Sequence, residues 1–184
     1  MDINFDVNKV FQDRLAASMG LDKYNFIMDR VWKSNVSLDA DFQRIFNGFY
    51  IVRRNKEWRK VYYGYFEKMK TETPTFANIL TYLYEQTGNI EPSFSSKMLA
   101  TIYPNQPIWD QYVVQNLNLE LVGKTKAERL QNAIALYAEI EKWYASFMKT
   151  TKATECVEAF DRLLPDYKHI SNIKKIDSIL WSIR

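Results

Sequence analysis

Trp58-Arg59-Lys60-Val61-Tyr62-Tyr63-Gly64-Tyr65-Phe66-Glu67-Lys68-Met69 carries apolar residues at 58, 61, 62, 65, 66 and 69. That is the i, i+3, i+4, i+7 spacing of a single helix face, held over three turns. The same spacing recurs on both sides of this stretch. Upstream, Phe42, Ile45, Phe46, Phe49 and Tyr50 follow Ser37, and Tyr24, Ile27, Met28, Val31 and Trp32 follow Asp22, a residue suited to an N-cap. Downstream, Phe76, Ile79, Leu80, Leu83 and Tyr84 run from behind Pro74 to Gly88, which reads as a helix-ending glycine.

The remainder follows the same pattern. A Ser-rich helix start spans Glu91 to Leu99, and Tyr103-Pro104-Asn105-Gln106-Pro107 is a loop, because prolines three apart stop a helix. Ile108 to Leu117 can resume helix, and after Gly123 the stripe from Leu130 to Met148 predicts a helix of about six turns. A shorter helix holds Cys156, Val157, Phe160 and Leu164 before Pro165. The last, behind Ser171, carries Ile173, Ile176, Ile179, Leu180 and Ile183. No segment reads as a strand, and the first ten residues are ambiguous. With five glycines, five prolines and 28 aromatic residues in 184, the chain lacks the turn glycines of a β-sandwich or α/β fold. The expectation is one all-α domain over residues 1–184, with no internal repeat and no linker.

Composition narrows the function. No apolar run approaches a membrane span. Met1-Asp2-Ile3-Asn4-Phe5-Asp6 lacks the basic region and apolar core of a secretory signal. One cysteine, Cys156, and one histidine, His169, cannot form a disulfide or a Cys/His zinc cage, so no metal is expected and the default compartment is the cytoplasm. Phosphate-loop, dinucleotide, zinc-protease and EF-hand patterns are absent, and no organic cofactor is implied. Net charge is only +3, yet Arg44 to Lys70 holds eight basic and two acidic residues. Arg53, Arg54, Lys56, Arg59 and Lys60 form the core of that block beside Trp58, Tyr62 and Tyr63, with Tyr63 off the apolar stripe. Cations for phosphates with aromatics for bases suit nucleic acid; a solvated helix face explains Arg59 and Lys60 equally well.

Pro92 to Asp110 carries the candidate chemistry. With Ser93 as N-cap, Lys97 falls in the first turn of a helix, where the macrodipole works against a charged lysine and favours the nucleophilic neutral amine. Asp110 falls in the first turn after Pro107, where its anion is favoured. An amine beside a persistent carboxylate suits a reaction that develops positive charge, such as glycosidic cleavage through an oxocarbenium-like state. The wheel places Phe94, Met98, Leu99 and Ile102 on the buried arc and Lys97 about 120° from its centre, which equally suits a surface lysine. Asp110 equally suits a plain N-terminal helix charge.

These residues resemble a known family. Pro92-Ser93-Phe94-Ser95-Ser96-Lys97 is similar to the Pro-Gly-hydrophobic-Gly-Thr-Lys run of helix-hairpin-helix DNA glycosylases of the 8-oxoguanine type, and Pro107-Ile108-Trp109-Asp110 to their Pro-Val-Asp stretch. The resemblance covers about residues 75–122. It implies an all-α fold, DNA as partner, Lys97 as the nucleophile on the sugar and Asp110 as the stabilising carboxylate. Ser93 and Ser95 stand where the family pattern has glycine; with Ser96 they are the expected phosphate contacts. A non-catalytic nucleic-acid-binding module, or a protein-interaction module whose basic block meets an acidic partner, remains open on the sequence.

Overall fold

The computed structural model describes residues 9–10 and 20–182. Among the described residues every regular element is helical, as the spacing predicts, and there is no strand. Most of the first ten residues and Ile183 lie outside the described residues. The chain divides into two compact units, one containing residues 20–102 and the other 103–184. The segment of family resemblance, residues 75–122, crosses that boundary.

The unit 20–102 contains α1 (Leu21–Arg30), α2 (Ala40–Phe49), α3 (Lys56–Met69), α4 (Phe76–Thr87) and α5 (Pro92–Ile102). Helix starts are set by short polar caps: Asp39, Asn55 and Thr75 accept from the backbone N–H of Phe42, Trp58 and Asn78. The α2 cap is Asp39, two residues beyond Ser37. Asp22 lies inside the first turn of α1, behind Gly20 at φ 66°, and not at its cap. Asp39 has a second role, since Arg30 at the end of α1 donates Nε to it at 2.5 Å. Gly88 ends α4 in the left-handed conformation the sequence predicts, φ 70°.

The stripe on α3 builds the core of this unit, with one shift. Trp58, Tyr62, Phe66 and Met69 are buried, but so is Tyr63, while Val61 and Tyr65 are only half-buried. Tyr63 therefore belongs to the core and not to a binding face. Its ring meets Phe42 and Phe46 of α2 edge-on at 6.3 and 5.9 Å, and its hydroxyl donates to Asn47 at 2.7 Å. Phe42 and Phe46 also pack on Phe66 at 5.9 and 5.8 Å. Each such ring pair adds about 0.5–1.5 kcal/mol beyond area burial.

The unit 103–184 contains α6 (Gln111–Asn116), α7 (Lys126–Phe147), α8 (Thr151–Leu163), a 3₁₀ turn (Pro165–Tyr167) and α9 (Asn172–Ser182). The 22 residues of α7 make the six turns anticipated, and a capping box between Thr125 and Glu128 starts it. The proline loop is tied down by side chains: Tyr137 donates to the Pro107 carbonyl at 2.8 Å and Ser171 to that of Pro104 at 2.6 Å. Cys156 is fully buried in α8, and burial pushes its thiol up to about 11. On α9 even the charged residues are inside: Lys174 pairs with Asp177 at 2.6 Å and Lys175 with Asp161 of α8 at 2.6 Å. Among the described residues no helix is long and apolar enough to cross a membrane.

Candidate functional site

α4, a four-residue connection and α5 form a helix–turn–helix pair whose helices pack on each other. The connection is shorter than the sequence implies, because α5 begins at Pro92 and its first bonds close onto Glu91. Both the amide and the hydroxyl of Ser95 donate to the Glu91 carbonyl, each at 2.9 Å. Ser93 is therefore inside the helix and not its cap. Lys97 becomes the sixth residue of α5, beyond the first turn. Ser95 and Ser96, expected at the surface, are fully buried. The Ser96 hydroxyl donates back to the Ser93 carbonyl at 3.0 Å. Short polar side chains that bond their own helix in this way need no outside partner.

Lys97 corrects the helical wheel more sharply. It is 8% exposed, as α5 is covered on nearly all sides from Ser95 to Ile102. Its Nζ donates to the Tyr50 carbonyl at 3.4 Å and lies 5.6 Å from the Tyr50 ring and 5.3 Å from that of Phe94. Cation–π contact with two rings partly replaces the water a buried ammonium loses.

Asp110 belongs to the other unit. It caps α6, accepting from the Tyr112 amide at 2.9 Å, which places it one position before the first turn rather than in it. Around it the unit gathers phenols and carboxylates: burial raises the Tyr144 phenol far above its usual range, and the charges of Asp177 and Asp110 add to that. Lys97 thus lies in the unit 20–102 and Asp110 in the unit 103–184.

The basic block separates into two kinds of residue. Arg54 is structural: its guanidinium holds the buried Glu91 at 2.6 Å and lies over the Trp58 and Phe94 rings at 5.9 and 5.7 Å. It ties the start of α3 to the start of α5. Burial still raises the Glu91 carboxyl, with Arg54 opposing. Arg53, Lys56 and Lys60 are exposed, and none has an ion pair or side-chain hydrogen bond among the described residues. Among the described residues Arg59 bonds only the Arg54 carbonyl, at 2.8 Å through Nε. Nearby Arg30, Arg44 and Lys70 are all paired to carboxylates. Residues 20–102 hold twelve basic and nine acidic side chains, so the +3 of the whole chain resides in this unit.

Sequence reasoning missed a cleft between α3 and α4. It has a volume of about 590 Å³ and is lined on one side by Trp58, Lys60 and Gly64, on the other by Tyr82 and Gln86. Tyr65 and Tyr82, both in its lining, stack directly on each other with ring centroids 3.6 Å apart and planes 7° from parallel, which leaves no gap between the two rings. The signal lay in Tyr82, an aromatic residue off the α4 stripe, but only packing reveals what it faces. Among the described residues, no group of three or more His, Cys, Asp or Glu side chains could hold a metal ion. Compared with protein-family models, curated proteins and solved structures, the chain finds no match.

Proposed function

We propose that this chain is a DNA-binding protein resembling base-excision DNA glycosylases, gripping the phosphate backbone with Arg53, Lys56, Arg59 and Lys60. One observation carries the reading: these cations crowd the N-terminal end of α3 without a carboxylate partner. The macrodipole makes that end of a helix unfavourable for positive charge, so the cluster does not serve the stability of α3. A bound phosphate would meet the cations and the helix end together. The all-α fold and the packed α4–α5 pair accord with the family resemblance of residues 92–97 and 107–110. A cytoplasmic location accords with a lone, buried cysteine.

The test removes three charges from two kinds of place. Arg53→Gln/Lys56→Gln/Lys60→Gln should weaken binding to a labelled duplex of about 15 base pairs at low salt by tenfold or more. Lys23→Gln/Lys149→Gln/Lys168→Gln, which removes equal charge from scattered sites, should change it by less than about twofold. Equal losses in the two triples would reduce the cluster to bulk charge. An absence of binding by the unaltered protein would reject DNA as partner and favour an acidic protein.

Lysine chemistry is the second reading, supported by the burial of Lys97 between Tyr50 and Phe94, a recurrent kind of setting for amine nucleophiles. In it the Lys97 amine attacks the sugar C1′ as the base departs. Borohydride trapping on DNA with an abasic site should give an adduct that Lys97→Gln abolishes. No adduct would reject the chemistry and leave the binding.

A further inference from the structure

We infer that the turn between α2 and α3 docks on an anionic lipid bilayer, with Ile51 entering the apolar boundary and Arg53, Lys56, Arg59 and Lys60 meeting the headgroup phosphates. The inference shares its cations with the DNA-binding reading but not its partner, and it does not rest on that reading.

Ile51 is a residue whose setting folding does not explain. It is β-branched at φ 55°, in the left-handed region, where such side chains are outliers. The turn closes as the helix-ending motif that glycine usually serves, with the Val52 amide donating to the Asn47 carbonyl at 2.9 Å. Tyr50 and Val52 on either side are buried, and between these anchors Ile51 is 57% exposed. The backbone is therefore strained there, and the side chain gains little core contact in return. Strain kept where packing does not need it points to function.

The neighbours of Ile51 indicate the partner. Residues 51–60 hold five basic side chains against one acidic, Glu57. Arg54 is taken by Glu91, while Arg53, Lys56 and Lys60 are exposed. A DNA duplex matches the cations but leaves an apolar side chain beside its phosphates in water. In a bilayer the acyl boundary lies directly beneath the headgroup phosphates, so a single surface meets both the cations and Ile51.

Sedimentation with vesicles of phosphatidylcholine, alone or with about 30% phosphatidylserine, would be measured for the full chain beside duplex binding by fluorescence anisotropy. Ile51→Asn removes the apolar group with a residue that tolerates the left-handed region, and Ile51→Trp enlarges it. Thermal melts would confirm that each variant is folded. The parent should bind the anionic vesicles at low salt and leave the neutral ones, and excess duplex should displace it, because both use the same cations. Ile51→Asn should lose about tenfold in vesicle affinity, the weight of one buried aliphatic side chain, while its duplex affinity stays within about twofold. Ile51→Trp should raise vesicle affinity. Arg53→Gln/Lys56→Gln/Lys60→Gln should lose about a hundredfold, at about fivefold per charge. Vesicle affinity indifferent to both Ile51 variants overturns the docking. So does a loss in Ile51→Asn that is as large on duplex as on vesicles, which would set the side chain against DNA. Duplex binding without vesicle binding overturns the bilayer and leaves DNA as the partner. Vesicle binding without duplex binding supports the bilayer and rejects the DNA-binding reading.

Discussion

Gly123→Ala should be the most damaging alanine substitution among the glycines, and the reason is local. Gly123 adopts φ 142°, where L side chains rarely go. An added Cβ would stand 2.6 Å from Arg129 Cγ, 2.9 Å from the Arg129 amide nitrogen and 3.1 Å from its Cα. The side-chain carbon can swing away, but the backbone cannot: the Arg129 amide donates to the Thr125 carbonyl at 3.0 Å, the first bond of α7, beside its capping box. Backbone strain alone is worth about 1–3 kcal/mol, and the clash with a fixed turn adds to it, for a loss of about 2–4 kcal/mol. Gly48 and Gly64 supply the internal control, since both are helical with nothing within 4 Å of a new Cβ. Alanine there should stabilise by about 0.5–1 kcal/mol. Urea and thermal unfolding of the three variants beside the parent would decide it. A Gly123→Ala loss under about 0.5 kcal/mol, or a loss at Gly64 as large as at Gly123, would refute the steric account.

Ile51 follows α2 at φ 55° and is 57% exposed, with the Val52 amide reaching back to the Asn47 carbonyl at 2.9 Å. Glycine is the usual residue at that position, so Ile51→Gly should raise stability by about 0.5–1 kcal/mol in a thermal melt; a lowered melting temperature would mean the side chain packs more than it strains. Asp39 is held well below the usual carboxylate range, chiefly by the Arg30 hydrogen bond. A depressed carboxyl stabilises above its unfolded value near 4 and loses that contribution as pH falls, so the gap between the parent and Asp39→Asn should be full at pH 7 and shrink below about pH 4. A gap that does not change with pH would deny the ion pair. Cys156, with its thiol raised by burial, should resist a thiol reagent at pH 8 until the protein is unfolded; rapid labelling of the native protein would contradict its burial.

Helices were legible because their signal is periodic and local. The α3 stripe, the left-handed glycine after α4 and the six turns of α7 needed nothing beyond neighbouring residues. Caps were less so: Asp22 is a sound capping type, yet Gly20 holds that position, and the α2 cap, Asp39, is also held by Arg30 of another helix. Burial failed where a helix is covered on more than one side. Lys97, Ser95, Ser96 and the lysines of α9 look like surface residues on a wheel, and only tertiary packing puts them inside. Tyr63 joined the core for the same reason. The basic block was visible as composition, but the difference between Arg54, locked to Glu91, and Lys56 or Lys60, without partners, depends on a residue 37 positions away. The cleft was invisible, since Tyr65 and Tyr82 meet only when α3 packs on α4.

The salt dependence of duplex affinity is the direct measurement of whether the end of α3 holds DNA. Each phosphate neutralised by a cation steepens the plot of log affinity against log salt by about 0.9, so Arg53→Gln/Lys56→Gln/Lys60→Gln should flatten the parent slope by about 2–3. A slope that the triple variant leaves unchanged, or a parent that binds no duplex at low salt, would contradict it.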